Sequence, residues 1–107
     1  MTKLPARQQL VLVEAAAEID TPYPGKGAGG ARWDGLAFTI RDRLLARHRS
    51  AVATGMEQPG PVLSEAQVLQ VMTQLVEKGL LVVARGADYT KRVSMTDAGR
   101  AALPGSE

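Results

Sequence analysis

The segment Leu63-Ser64-Glu65-Ala66-Gln67-Val68 carries the clearest structural signal in the chain. A serine N-cap and a glutamine three residues later form a capping box, and the apolar residues on either side form a hydrophobic staple. Apolar residues then recur at helical spacing, and Gly79 supplies a C-cap. The pattern predicts a helix over residues 64–78. Its outward face presents Ala66, Gln67, Gln70, Thr73, Gln74 and Glu77.

A β-hairpin and a short helix are predicted after this helix. Residues 80–85 are apolar and β-branched, residues 90–95 alternate in character, and Gly86-Ala87-Asp88-Tyr89 is typical of a tight turn between them. Thr96 then caps a short helix over residues 97–103. Asp97 lies in its first turn, where the helix dipole favours an anion.

The first predicted helix covers residues 6–19 and starts after Pro5, which suits a first helical turn. Its apolar stripe is predicted along Leu10, Val13 and Ala17, and is widened by Leu12, Ala16 and Ile19. Glu14 and Glu18 share another face, and paired carboxylates on a surface helix usually only interact with solvent.

The second predicted helix has Asp34 as its N-cap and runs towards Val52, ending at Thr54-Gly55. Arg41 is anomalous because it projects into the middle of the apolar face. Either its stem lies along apolar surface with its charge in water, or it has an acidic partner, or the helix packs differently.

A chain of 107 residues is long enough for one hydrophobic core but not for two. The predicted order is helix, short extended piece at Ala31-Arg32-Trp33, two helices, hairpin and short helix. The fold class is mainly α with a small β-hairpin, in a single domain over residues 1–107. A flexible loop is predicted at residues 21–33, a second loop at 55–62 and a frayed tail at 104–107.

The predicted core is the set of apolar residues that share one helical or strand phase. Its members are Leu10, Val13, Leu36, Ile40, Leu44, Val68, Val71, Met72, Leu75, Leu81, Val83 and Val93.

The composition excludes several classes of protein. The chain has no cysteine and one histidine, His48, which rules out a disulfide scaffold and a cysteine-based zinc site. No apolar run approaches the length of a membrane span, and residues 1–9 lack the apolar centre of a signal peptide. We expect a cytoplasmic protein with no membrane partner, no metal and no cofactor.

Gly25-Lys26-Gly27-Ala28-Gly29-Gly30 matches the dinucleotide-binding pattern G-x-G-x-x-G letter for letter. That fingerprint requires a strand before it and a helix directly after it, whereas a helix precedes it here. We therefore predict a mobile loop that binds no nucleotide.

Positive charge is concentrated in the middle of the chain. Residues 21–63 carry six basic and three acidic side chains, and five of the six basic ones are arginines. Arginine binds phosphate and carboxylate bidentately, so an anionic partner is one interpretation. A solvated arginine-rich helix face is the other.

The segment over residues 63–103 resembles the second half of the winged helix-turn-helix domain. Gln74-Leu75-Val76-Glu77-Lys78-Gly79-Leu80-Leu81 and Val93-Ser94-Met95-Thr96-Asp97-Ala98-Gly99-Arg100 are similar to MarR-like and PadR-like transcriptional regulators. There, a recognition helix ends in Leu-x-x-x-Gly-Leu, a wing hairpin follows, and a Leu-Thr-x-x-Gly-Arg-like turn enters the last helix. The first sixty residues match in element order only. The link between the second and third helices, with its two prolines, is longer than the family's tight turn, and the loop before Ala31 is also long.

The resemblance implies sequence-specific binding of double-stranded DNA by a small transcriptional regulator. The helix over residues 64–78 would enter the major groove, where glutamine suits the edge of adenine, and the hairpin over 80–95 would be the wing. The implied base-reading residues are Gln67, Gln70, Thr73 and Gln74. The implied phosphate contacts are Arg43, Arg47, Arg49, Arg85, Lys91 and Arg92.

A homodimer is expected, because one recognition helix reads too few bases for useful specificity. The first helix, through its alanine-rich face, or the last helix would supply the contact. The alternative function is a winged-helix module that binds proteins and not DNA. A catalytic role is not expected, because a single histidine supports no Ser/His/acid arrangement and no second constellation supports the carboxylates.

Overall fold

Helices dominate the fold, and a small antiparallel sheet closes one side of the core. The structure is a computed structural model that describes residues 4–20, 31–85 and 91–103. In chain order its elements are α1 (Ala6–Asp20), β1 (Ala31–Arg32), α2 (Trp33–Ala53), α3 (Glu65–Glu77), β2 (Leu81–Arg85), β3 (Lys91–Met95) and α4 (Asp97–Ala101). The predictions for residues 21–30, 86–89 and 104–107 lie outside the described residues. The last three residues of the predicted loop over 21–33 are not loop, because they form β1 and the first residue of α2.

The helix start that the sequence predicts at Ser64 is confirmed. The Ser64 hydroxyl accepts a hydrogen bond from the Gln67 backbone N–H at 3.2 Å, and the Gln67 side chain accepts one from the Ser64 N–H at 2.9 Å. The other end of α3 also follows the prediction, because Gly79 has a φ of 77°. Glycine adopts this left-handed conformation without steric cost.

The sheet has three strands in the order β1-β3-β2, with both pairs antiparallel. The predicted hairpin forms its larger part, and the extended piece predicted near residue 31 adds β1 against β3. Asp34 is not the N-cap of α2, because Trp33 already begins the helix and Arg32 stands at the N-cap. Pairing of Ala31 and Arg32 with β3 fixes where the extended backbone ends, so the helix starts two residues earlier than the cap signal predicts.

Nine of the twelve predicted core residues are buried. They are Leu36, Ile40, Leu44, Val68, Val71, Met72, Leu75, Leu81 and Val93. Val83 and Leu10 are only partly buried and pack against this core.

The predicted apolar stripe of α1 is confirmed only in part. Leu12 and Ala16 are buried as predicted, but Val13 is partly exposed and Ala17 is exposed, and Val11 and Ala15 are fully buried instead. Apolar residues surround most of α1, so hydrophobic periodicity alone does not fix which side faces inward. The orientation also places Glu14 against α2.

The core-facing side of α2 is narrower than the sequence predicts. Ile40 and Leu44 are buried, but Phe38 is 49% exposed. This explains Arg41, which lies outside the core with its guanidinium carbon 4.3 Å from the centre of the Phe38 ring and its head group paired with Asp42 at 3.0 Å. Two of the alternatives therefore hold together: the helix is rotated, and Arg41 has an acidic partner.

The segment from Thr96 to Arg100 ties α4 to two other parts of the fold. The Thr96 hydroxyl donates to the Gly79 carbonyl at 2.6 Å and accepts from the Gly99 N–H at 2.9 Å. Gly99 packs directly on the carbonyl of Leu80. Arg100 makes two hydrogen bonds to Asp20 at the end of α1, and this carboxylate raises the pKa of Arg100.

Candidate nucleic-acid interface

The outward face of α3 is polar and almost uncharged. Gln67, Gln70 and Thr73 are all exposed on it. Gln67 is engaged in the capping box, and the Thr73 hydroxyl donates to the Leu69 carbonyl one turn back at 3.0 Å. The side-chain amide of Gln70 forms no hydrogen bond with any described residue, so this amide can both donate and accept.

Gln74 differs from Gln70 because it is partly buried and bound to α1. The Gln8 side-chain amide donates to Gln74 Oε1 at 3.1 Å. The Lys78 ammonium group in turn donates to Gln8 Oε1. These contacts engage the side-chain oxygen of Gln74, whereas the side-chain amide of Gln70 has no hydrogen-bond partner among the described residues.

Positive side chains face each other across the sheet. The register places Arg85 opposite Lys91 and Arg32 opposite Arg92. Arg85, Lys91 and Arg32 are exposed, and Arg92 is partly buried. Like charges directly opposite one another disfavour an antiparallel pair, as with Arg85 and Lys91, whereas Arg92 also takes part in interactions beyond this pairing.

Arg32 was not predicted as a site residue. The sequence does contain a signal for it, because the extended piece that includes Arg32 needs a strand partner. The register with β3 could not be read from the sequence, so its proximity to Arg92 emerges only in the folded chain.

The arginines of α2 divide into two groups. Arg49 is exposed and makes no ion pair with the described residues. Arg43 and Arg47 instead form ion pairs with α1: Arg43 reaches Glu18 at 2.9 Å and Glu14 at 3.7 Å, and Arg47 also pairs with Glu14. Their predicted phosphate contacts remain a prediction, and would have to use guanidinium N–H groups that these pairs leave open.

Glu14 and Glu18 do more than interact with solvent, contrary to the sequence interpretation. The Glu14 side chain is completely buried, and its Oε2 atom makes no hydrogen bond in the described structure. The spacing of four residues between the two glutamates matches that between Arg43 and Arg47, so the antiparallel helices α1 and α2 meet through a charge ladder. This matched spacing is the sequence signal that would have identified the ladder.

The described residues contain no cluster of three or more acidic, histidine or cysteine side chains suited to holding a metal ion. Within the same residues, no helix is both long and apolar enough to span a bilayer.

Comparison with known proteins gives no relative from which a role could be transferred. Searches of family models, of curated proteins and of solved structures each return no match to this chain. We therefore infer a function from this chain's own residues and their contacts.

Proposed function

We propose that this protein is a winged-helix, sequence-specific DNA-binding protein that acts as a small transcriptional regulator. In this proposal α3 enters the major groove, and β2 with β3 forms the wing. The order of α3, paired strands and α4 agrees with the resemblance noted over residues 63–103. A cytoplasmic location and a homodimeric state are parts of the same proposal.

The observation that carries the proposal is the pairing of like charges across the sheet. Arg85 faces Lys91, and Arg32 faces Arg92. Because side chains alternate along a strand, Arg85 and Lys91 lie on one face of the sheet, and Arg32 and Arg92 lie on the other. A polyanion that reached Arg85 and Lys91 would relieve their repulsion and release counterions as it binds. The phosphate backbone of DNA is an anion of this kind.

The polar face of α3 supports base reading. Gln70 is exposed at the middle of a well-capped, rigid helix. A glutamine amide can pair bidentately with the edge of adenine in the major groove. Only three residues separate the end of α3 from the start of β2. The helix that would read bases and the strands whose cations would bind phosphate are therefore directly connected in the chain.

The phosphate contacts are assigned to the cations of the sheet, which lie outside the α1–α2 ladder. Arg32, Arg85 and Lys91 are exposed, and Arg92 is partly buried. Such contacts set affinity and orientation but carry no sequence information.

Titration of labelled duplexes at several salt concentrations tests the proposal. Binding should weaken steeply as salt rises, and Lys91→Gln should lower the slope of log K against log salt by about one. Arg7→Gln is the matched control, because it removes the same charge from the first turn of α1, outside the proposed contacts. A wild-type chain with no salt-dependent affinity for any duplex would overturn the proposal.

A protein-binding module is the second candidate function. It is favoured by the ion pairs that Arg43 and Arg47 form with α1, because these engage two of the six predicted phosphate-binding cations within the protein. Under this alternative, Lys91→Gln and Arg7→Gln would be indistinguishable in the DNA titration, because neither would contact DNA.

A further inference from the structure

The second half of α2 extends beyond the hydrophobic core. The buried residues of this helix are Leu36, Ala37, Ile40 and Leu44, and none of residues 45–53 is buried. At a rise of 1.5 Å per residue, roughly 13 Å of helix therefore carries no buried side chain. Its contacts with the rest of the described chain include the ion pair of Arg47 with Glu14 and the contact of His48 with the Gly60 carbonyl. Tertiary packing normally supplies most helix stability, so a projecting segment of this length is suited to packing against something else.

The outer face of α2 presents three apolar side chains at seven-residue intervals, namely Phe38, Leu45 and Val52. Phe38 is 49% exposed, Val52 is 56% exposed and Leu45 is partly exposed. A spacing of seven residues keeps side chains on one side of a helix and is the repeat by which two helices pack along their length.

Two opposite charges border this apolar row on one side. Asp42 and Arg49 are both exposed and are also seven residues apart, so they project in nearly the same direction. Along the helix axis they are separated by about 10 Å, which is too far for a direct ion pair within one chain. Asp42 pairs with its neighbour Arg41, whereas Arg49 has no ion-pair partner in the described structure.

We propose that a second copy of this chain packs antiparallel against the outer face of α2, with the two-fold axis beside Leu45. In this arrangement Leu45 meets its own counterpart. Phe38 of one copy lies opposite Val52 of the other, because each is seven residues from the centre. The apolar row is therefore complementary to itself, as an isologous two-fold interface requires.

The charges match under the same rotation. Asp42 is three residues before the centre and Arg49 is four residues after it. The two-fold axis therefore brings Asp42 of one copy level with Arg49 of the other, to within about 1.5 Å along the axis and on the same side of the interface. The symmetry makes this pair twice, and it gives the unpaired Arg49 a partner.

The outer face of α1 is the competing surface. Ala6, Gln9, Leu10 and Val13 line an open apolar hollow there. It offers less exposed apolar surface than α2, because Leu10 and Val13 are partly buried and Ala6 has only a methyl group. The exposed charges of α1, Arg7 and Asp20, point about 140° apart around the helix and so do not border one face together.

Exchanging the charges of Asp42 and Arg49 tests the interface, because a folding defect in either single variant would not be reversed by combining the two substitutions. Sedimentation equilibrium of the full chain without DNA should show a wild-type dimer. Asp42→Arg or Arg49→Asp alone should raise the dimer dissociation constant at least about tenfold, because each brings like charges together. The double variant should return it to within about threefold of the wild-type value, since Asp42 and Arg49 then exchange roles.

Apolar variants locate the surface independently. Leu45→Glu should abolish the dimer, whereas Val13→Glu on the outer face of α1 should leave it intact, with far-UV circular dichroism confirming that both variants fold. A monomeric wild-type chain, or a double variant no better than the single ones, would overturn the inference. Loss of the dimer with Val13→Glu alone would assign the contact to α1. None of these measurements uses DNA: a monomeric wild type would also remove the homodimeric part of the proposed function, whereas a dimer without salt-dependent duplex binding would overturn only the DNA-binding part.

Discussion

Glu14 is a buried charge shared between two helices. Its carboxylate contacts Arg43 and Arg47, and the Arg47 side chain remains 62% exposed. Burying a carboxylate is costly unless it is paired, so the two arginines make this position possible. The pair also defines how α1 is rotated, because Glu14 can be satisfied only when it faces α2.

Glu14→Gln should lower the free energy of unfolding by about 1–3 kcal/mol, because it removes the charged acceptor and leaves a buried amide in its place. Glu18→Gln is the comparison, and should cost less than about 1 kcal/mol, since Glu18 retains some contact with solvent and is not completely buried as Glu14 is. Urea denaturation of both variants measures the difference. Equal, small losses would mean that Glu14 does not orient α1.

Gly99 is a position where no side chain fits. A β-carbon there would lie 2.6 Å from Met95 Sδ and closer still to the Leu80 carbonyl oxygen, which belongs to the backbone and cannot easily move. Gly99→Ala should therefore destabilise the fold by about 1–3 kcal/mol or more.

Gly35 provides the control for this substitution. A β-carbon there would be 3.9 Å from its nearest neighbour, the β-carbon of Arg32. Gly35→Ala should be neutral or stabilising by about 0.5 kcal/mol, because alanine restricts the unfolded chain and favours the helix. The midpoint of thermal unfolding should fall for Gly99→Ala, and should rise or stay unchanged for Gly35→Ala. Matching losses would contradict the packing described for Gly99.

At the scale of elements, α3 combines a buried side and a side open to solvent. Leu75 is completely buried, while Gln70 is exposed. Leu75→Ala should therefore cost about 2–5 kcal/mol of stability through the cavity that it leaves. Gln70→Ala should leave stability nearly unchanged, and denaturation midpoints would show the contrast. A negligible loss for Leu75→Ala would place the wrong side of α3 in the core.

Gln70 and Gln74 of α3 should differ in DNA binding. Gln70→Ala should relax sequence preference and cost about 1–3 kcal/mol at one position of the binding site. Gln74→Ala should cost less, because its acceptor is already engaged by Gln8, and Gln8→Ala should bring Gln74 closer to the behaviour of Gln70. Competition among duplexes with single base changes measures these preferences. Equal effects of both glutamine variants would argue against the proposed role of Gln8.

The sequence predicted the positions of the helices and strands better than the contacts between them. The cap at Ser64, the glycine at position 79 and the threonine at position 96 act within a few residues, so their local chemistry is sufficient. The rotation of α1 was missed because several of its faces are apolar, and the choice depends on Arg43 and Arg47 in a distant part of the chain. For the same reason the sequence named most of the candidate cations but not the pairing of Arg32 with Arg92.

At the scale of the whole molecule, one core joins α1, α2 and α3 to the sheet. Trp33, the single tryptophan of the chain, packs against this core where β1 meets α2. Its fluorescence and the far-UV circular dichroism of the helices should give coincident unfolding curves in denaturant. Separated curves would show that the sheet side and the helices unfold independently.

The middle strand of the sheet, β3, comes later in the chain than both of its neighbours. A ribosome synthesises β1 and β2 first, and each then has an unpaired edge until Lys91–Met95 has emerged. The nascent chain therefore presents extended apolar segments such as Leu81–Arg85 to any chaperone that recognises them. Translation arrested before residue 91 would leave these edges open for good, and the product would be prone to aggregation.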